Sequence, residues 1–249
     1  MSVCNLYYIF FAIIHTNILA FDKLVIYNAS MDDLPKKLQN FVEQYPLLNY
    51  KKGQIIFRAD ENPQGLYCIK EGYIRAYKTT ESGEELTLMT FKPYEFFPTS
   101  WAINNRWNMY YSEAITDVKL WRVSKEKFVE FIKENPEILF SLTQSILSRL
   151  GGLLLRMQHL NLGGSYSRVA SIIKIYSERF GSKNKNGQIV INVPLSHRDI
   201  STLIGLTRET VSVAMSQLKK KGIVDYKKQI ITILDIKGLQ NASHPNLIS

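Results

Sequence analysis

The hydrophobic pattern changes period along the chain, and each change marks a new kind of element. Over Met31–Tyr45, Leu34, Leu38, Phe41 and Val42 recur at helical spacing, and Pro46 ends the run. From Tyr50 to about Val123 the period drops to two. Short apolar and aromatic runs, Gln54–Arg58, Gly65–Lys70, Tyr73–Thr79, Glu85–Phe91, Tyr110–Ile115 and Lys119–Val123, alternate with turn chemistry such as ENPQG, EG and ESGEE. Strands at roughly 8–12-residue spacing predict an antiparallel barrel or sandwich. Helical spacing returns in KEKFVEFIKENP, where Pro136 breaks the run or opens the next helix.

A long helix is predicted from about residue 137 to 162. Leu142, Ile146, Leu150, Leu153, Met157 and Leu160 give it a near-heptad apolar seam. So narrow a seam needs a partner, either the chain's own β domain or a twin helix in a homodimer. Gly151-Gly152 weakens the middle by roughly 1 kcal/mol per glycine relative to alanine, and in a seam lets backbones approach. Gly163-Gly164-Ser165 reads as a hinge. An amphipathic helix bearing Val169, Ile172, Ile173 and Tyr176 follows, ending near Phe180-Gly181, and Gln188–Val193 alternates like a strand.

The most informative stretch is LSHRDISTLIGLTRETVSVAMSQL, Leu195 to Leu218. Ser196 is a natural N-cap with Asp199 three residues on. Ile200, Leu203 and Ile204 form one apolar face, and small Ser201 permits a close helix crossing. Gly205 sits where the chain turns sharply at positive φ, and Leu206 plugs that turn. Thr207 caps a second helix, with Glu209 in its first turn and Val211, Ala214, Met215 and Leu218 facing inward. Helix, tight glycine turn and capped helix make a helix-turn-helix.

Its outer face carries the candidate base-reading residues Arg208, Glu209, Ser212 and Val213. Arginine bonds guanine O6/N7 bidentately, and glutamate accepts from the cytosine amino group. Ser196, Thr207, Thr210, Lys219, Lys227 and Lys228 are candidate phosphate contacts. Gly222 stops the helix, and Ile223–Tyr226 and Ile230–Leu234 form a hairpin with a basic tip, a wing. Charge agrees with a polyanionic partner, double-stranded DNA: residues 165–249 hold 13 Lys/Arg against 5 Asp/Glu, and residues 1–164 hold 18 against 17.

Composition narrows the class. At 249 residues, 45% hydrophobic and 21% charged, the chain suits two globular domains. Cys4 and Cys68 stand far apart, two cysteines do not make an iron–sulfur ligand set, and the four histidines lack metal-ligand spacing. Neither an iron–sulfur cluster, a haem nor a metal is expected, and cytoplasmic localisation fits. Leu6 to Phe21 is strongly apolar but shorter than the roughly 20 residues of a membrane span. Three readings stand for it: an extra segment upstream of Met31, a membrane anchor, or a packed segment. No long apolar run is read after it, so the remainder is expected to be soluble.

The sequence resembles the catabolite activator/FNR (CRP/FNR) family of transcription regulators over roughly residues 32–237. IGLTRETVSVAMSQLKKKGIV resembles the family's helix-turn-helix signature, and LYCIKEGYIRAYKTTESGEEL its barrel strands, with Gly72 and Gly83 at the turns. The resemblance implies an α+β chain: an N-terminal cyclic-nucleotide-binding-like β-roll, a long dimerisation helix and a C-terminal winged helix-turn-helix. It implies double-stranded DNA as partner, with RNA polymerase and a small effector as further candidates. Pro98-Thr99 stand where cyclic-AMP-binding members have glycine-glutamate, and Asn108-Met109 near their arginine-serine. Proline removes an N–H from a phosphate cradle, so the usual cyclic-AMP site does not carry over. Two readings of the aromatic-rich segment remain: an effector pocket of Phe97, Pro98, Thr99, Trp101 and Tyr110, or a filled barrel core.

The expected organisation is an apolar extension (1–30), a sensor roll (31–136), the dimerisation helix and hinge (137–164), the winged helix-turn-helix (165–237) and a tail (238–249). The expected function is a non-enzymatic, sequence-specific DNA-binding regulator that reads a two-fold symmetric operator as a dimer. The alternative is a sensor with a protein-docking or membrane-recruitment output. No paired catalytic carboxylates, nucleophile–histidine pair or phosphate loop points to an enzyme.

Overall fold

The computed structural model describes residues 36–105 and 109–243. Helix α1 (Lys36–Val42) leads into a roll of eight strands: β1 (Leu47–Tyr50), β2 (Ile55–Phe57), β3 (Leu66–Glu71), β4 (Ile74–Thr79), β5 (Glu85–Phe91), β6 (Phe96–Phe97), β7 (Tyr111–Ala114) and β8 (Val118–Val123). They form two antiparallel sheets, ordered β1-β8-β3-β6 and β2-β7-β4-β5, with helix α2 (Thr99–Asn104) between β6 and β7. Strand β3 is buried on both faces. Tyr67 and Ile69 point between the sheets to Phe57, Ile74, Phe91 and Phe97. Leu66 and Cys68 point the other way, into a second core with Leu38, Phe128, Ile132 and Leu142. Burial pushes the Cys68 thiol pKa up, which keeps it in the neutral form.

Helix α3 (Lys125–Glu134) is capped by Ser124, and Pro136 opens α4 (Pro136–Leu162) rather than breaking it. The dimer-seam expectation needs correction at Leu142. Leu142 is a core residue of the roll, packed with Ile138, Phe128 and Trp121. Leu153 is half-buried, Ile146, Leu150 and Met157 are exposed, and the side chain of Leu160 lies outside the described residues. The exposed stripe instead runs through Phe140, Leu147, Leu150, Leu154 and Met157, with Thr143 between the first two. Those positions follow three- and four-residue steps, a strict a/d seam. The expectation that no long apolar run follows the N-terminus also fails: Pro136–Gln158 is long and apolar enough to cross a membrane. Arg149 and Arg156 lie on its roll-facing side, where Arg149 meets the Phe91 ring and Arg156 the backbone of β5.

Gly163 and Gly164 take extended conformations between α4 and α5 (Ser165–Phe180), so the predicted hinge is an actual helix break. Beyond it come β9 (Gly181–Lys183), β10 (Ile189–Ile191), α6 (His197–Ile204), α7 (Arg208–Lys220), β11 (Val224–Lys227), β12 (Ile230–Ile233) and α8 (Ile236–Ser243). The last sheet is ordered β11-β12-β10-β9. Residues 238–243 are not a tail. Leu239 is buried in the C-terminal core, and the Ser171 hydroxyl donates to the Ser243 carbonyl at 2.9 Å. The readings of residues 1–30 lie outside the described residues.

Candidate nucleic-acid interface

The turn between α6 and α7 is built by caps. Ser196 Oγ accepts from the Asp199 N–H at 3.1 Å, and the Ser196 N–H donates to Asp199 Oδ2 at 2.7 Å, a complete capping box. Gly205 ends α6 at φ +61°, with no atom within 4 Å of a built Cβ, so backbone conformation alone asks for glycine there. Thr207 Oγ1 then accepts from the Thr210 N–H at 3.2 Å and starts α7. Val211, Ala214, Met215 and Leu218 are buried against Ile200, Leu203 and Ile204, and Ser201 is buried where the helices cross.

Packing that face leaves the opposite one to solvent. Arg208, Glu209, Ser212 and Val213 are all exposed on α7, as the base-reading assignment requires. Val213, a valine, is 59% exposed, a poor placement unless something else covers it. Among the phosphate candidates, Ser196 and Thr210 are half-buried and engaged in caps, while Thr207, Lys219, Lys227 and Lys228 are exposed. Asp225 complicates two of them. Its Oδ1 pairs with Lys219 Nζ at 3.0 Å and its Oδ2 with Lys227 Nζ at 3.0 Å, and these bonds pull its carboxyl down to about 2. The wing tip is the two-residue turn Lys228-Gln229, both at positive φ, which presents Lys228 outward.

Sequence reasoning missed His197 and Tyr226. Their rings stack at 5.0 Å beneath the start of α6, and the Tyr226 hydroxyl donates to the Leu195 carbonyl at 3.0 Å. Burial, and then the Arg208 charge, hold His197 below its ordinary pKa. The signal available was position, since His197 directly follows the N-cap.

The pocket residues divide between two cores. Phe97 and Tyr110 join Phe57, Tyr67 and Phe91 in the aromatic filling between the sheets. Trp101 packs on the other core, with Lys125 Nζ 5.2 Å from its ring. Pro98 and Thr99 form the start of α2. One cation was overlooked. Arg149 reaches from α4 to within 5.8 Å of the Phe91 ring centre, and burial lowers its pKa. The Glu95 charge acts on it in the opposite sense, although Glu95 itself pairs with Arg179 at 2.9 Å.

Comparison with known proteins agrees with this architecture. Residues 47–135 match the cyclic nucleotide-binding domain, and residues 148–242 match the Crp-like helix-turn-helix domain. The chain belongs to the CRP/FNR family of transcription regulators. Among CRP/FNR relatives, transcriptional regulator SdrP of Thermus thermophilus is 28% identical over 197 residues, covering 78% of this chain and 92% of that one. The global nitrogen regulator of Nostoc sp. is 26% identical over 186 residues, covering 74% and 83%. The crystal structure of a CRP/FNR regulator from Thermus thermophilus superposes with a TM-score of 0.63 at 25% identity, covering 80% of this chain and 98% of that one. FixK2 from Bradyrhizobium japonicum shares the fold, with a TM-score of 0.69 at 23% identity over 80% and 98%.

Proposed function

We propose that this CRP/FNR regulator binds a two-fold symmetric operator as a homodimer, joined along the Phe140–Met157 seam. The observation that carries the reading is the exposed quartet Arg208, Glu209, Ser212 and Val213 on a helix whose other face is core. A helix so presented enters the major groove by its N-terminal end, and two half-sites one helical turn apart suit a two-fold dimer. A docking or recruitment output needs no such pair of base-matched side chains. The protein then works in the compartment of its DNA, the cytoplasm, with RNA polymerase as a further partner and no enzymatic role.

The roll is the effector-sensing part in this reading. Arg149, on the roll-facing side of α4 against the Phe91 ring, is the cation placed to meet an effector bearing a carboxylate or phosphate. Selection of bound duplexes from a random pool, alone and with a metabolite extract, tests both parts. Enrichment of an inverted repeat supports operator binding. Stimulation by an anionic fraction that disappears in Arg149→Gln supports the gate, whereas an unstructured pool would refute operator reading.

A further inference from the structure

Strand β5 carries a bulge that joins the long helix to the first helix of the helix-turn-helix. Ala76 pairs with Met89 and Tyr77 with Thr87, so Leu88 is the extra residue. Arg156 of α4 occupies the disturbed backbone. Its Nη1 donates to the Thr87 carbonyl at 3.2 Å and its Nη2 to the Leu88 carbonyl at 3.0 Å. Burial lowers the pKa of this guanidinium, and its Nε is buried without a hydrogen-bond partner. A half-buried cation thus holds two carbonyls in place, an arrangement that fixes geometry.

The other side of the same residue faces the DNA-binding unit. The Thr87 and Thr202 hydroxyls meet at 2.8 Å, both buried. Thr202 spends its proton on the Asp199 carbonyl at 2.9 Å, so Thr87 is the donor between the two. Further bonds follow along the roll: the Thr90 and Tyr176 hydroxyls at 2.7 Å, and Arg179 Nη2 to both Glu95 oxygens at 2.9 and 3.0 Å. By chain connection alone, α5 hangs on α4 through Gly163-Gly164.

We infer that the Leu88 bulge is a positioning junction. Arg156 sets β5 against the dimer helix, and the Thr87–Thr202 bond hands that setting to α6, fixing how the two recognition helices of a dimer are spaced. The contacts leave Arg208, Glu209 and Val213 uncovered, so the junction aims the reading face and does not mask it.

This rests on the operator reading above, and two readouts separate them. The variants are Arg156→Met, Thr87→Val, their combination, and the conservative Thr87→Ser. The DNA probes are the inverted repeat selected by the wild-type protein and its isolated half-site. Hydrogen exchange of residues 197–204 is measured on the full chain without DNA. Arg156→Met and Thr87→Val should each weaken the inverted repeat about fivefold or more, leave the half-site unchanged, and speed exchange over 197–204. The double variant should be no worse than the weaker-binding single one, and Thr87→Ser should behave as wild type. Unchanged affinity for the repeat, an equal loss on the half-site, additive losses, or unchanged exchange at 197–204 in Arg156→Met would each overturn the junction. A wild type that selects no inverted repeat refutes the operator reading instead, and exchange then decides the junction.

Discussion

Leu142 and Leu147 stand five residues apart on α4 and face opposite ways: Leu142 is 8% exposed in the roll core, Leu147 59% exposed on the outer stripe. That difference separates fold from assembly. Leu147→Asp should break the dimer, seen as a halved mass in sedimentation, and leave the roll folded. Leu142→Ala should leave the association intact and cost about 2–5 kcal/mol of stability in denaturant unfolding. A dimeric Leu147→Asp protein would mean that another surface joins the copies.

Asp225 restrains the basic wing. With its carboxyl bonded to Lys219 and Lys227, two cations that could meet phosphate are partly neutralised. Asp225→Asn should therefore strengthen binding to any duplex and steepen the salt dependence, by a slope increment of about 1–2. Titrations on a random duplex across salt concentrations check this, and an unchanged slope would show that these lysines do not approach phosphate.

His197 makes stability depend on pH in a defined direction. Its folded pKa lies below its ordinary 6.5, so the unfolded chain takes up the proton first. Its contribution is complete above about 6.5 and is lost as pH falls through the depressed folded value. His197→Phe keeps a ring on Tyr226 but removes the titration. Thermal melts between about pH 7.5 and 5.5 should fall less steeply for the variant than for wild type. Parallel curves would assign the acid sensitivity elsewhere.

Local chemistry was readable from the sequence where it acts locally. The Ser196–Asp199 box, the Gly205 turn and the Thr207 cap are interactions within three or four residues, so spacing discloses them. The exposed apolar stripe of α4 was half legible. Leu150 and Met157 lie on it and follow from spacing, but Leu142 faces the roll core and Leu147 and Leu154 do not follow, because α4 is apolar on two faces and periodicity alone cannot say which one the roll covers. Strand β6 pairs only two residues with β3, too short a run to show a period. The Thr87–Thr202, Thr90–Tyr176 and Glu95–Arg179 contacts join residues more than 80 positions apart, and no local pattern announces them.

Base reading by α7 is most exposed to test at Val213. Valine has no group to offer guanine N7 or O6 and can meet only an apolar edge such as the thymine methyl, while Arg208 and Glu209 beside it can specify G·C and C·G pairs. Arg208→Ala should cost on the order of 1–3 kcal/mol at the operator and relax one base pair. The decisive measurement is the selected-site profile of wild type against Val213→Arg. Base reading by α7 requires two strongly specified pairs per half-site in the wild type, a degenerate or A·T-favouring pair facing Val213, and a shift of that pair to G·C in the variant. A strongly specified G·C facing Val213 in the wild type, or an identical profile in the variant, would contradict it.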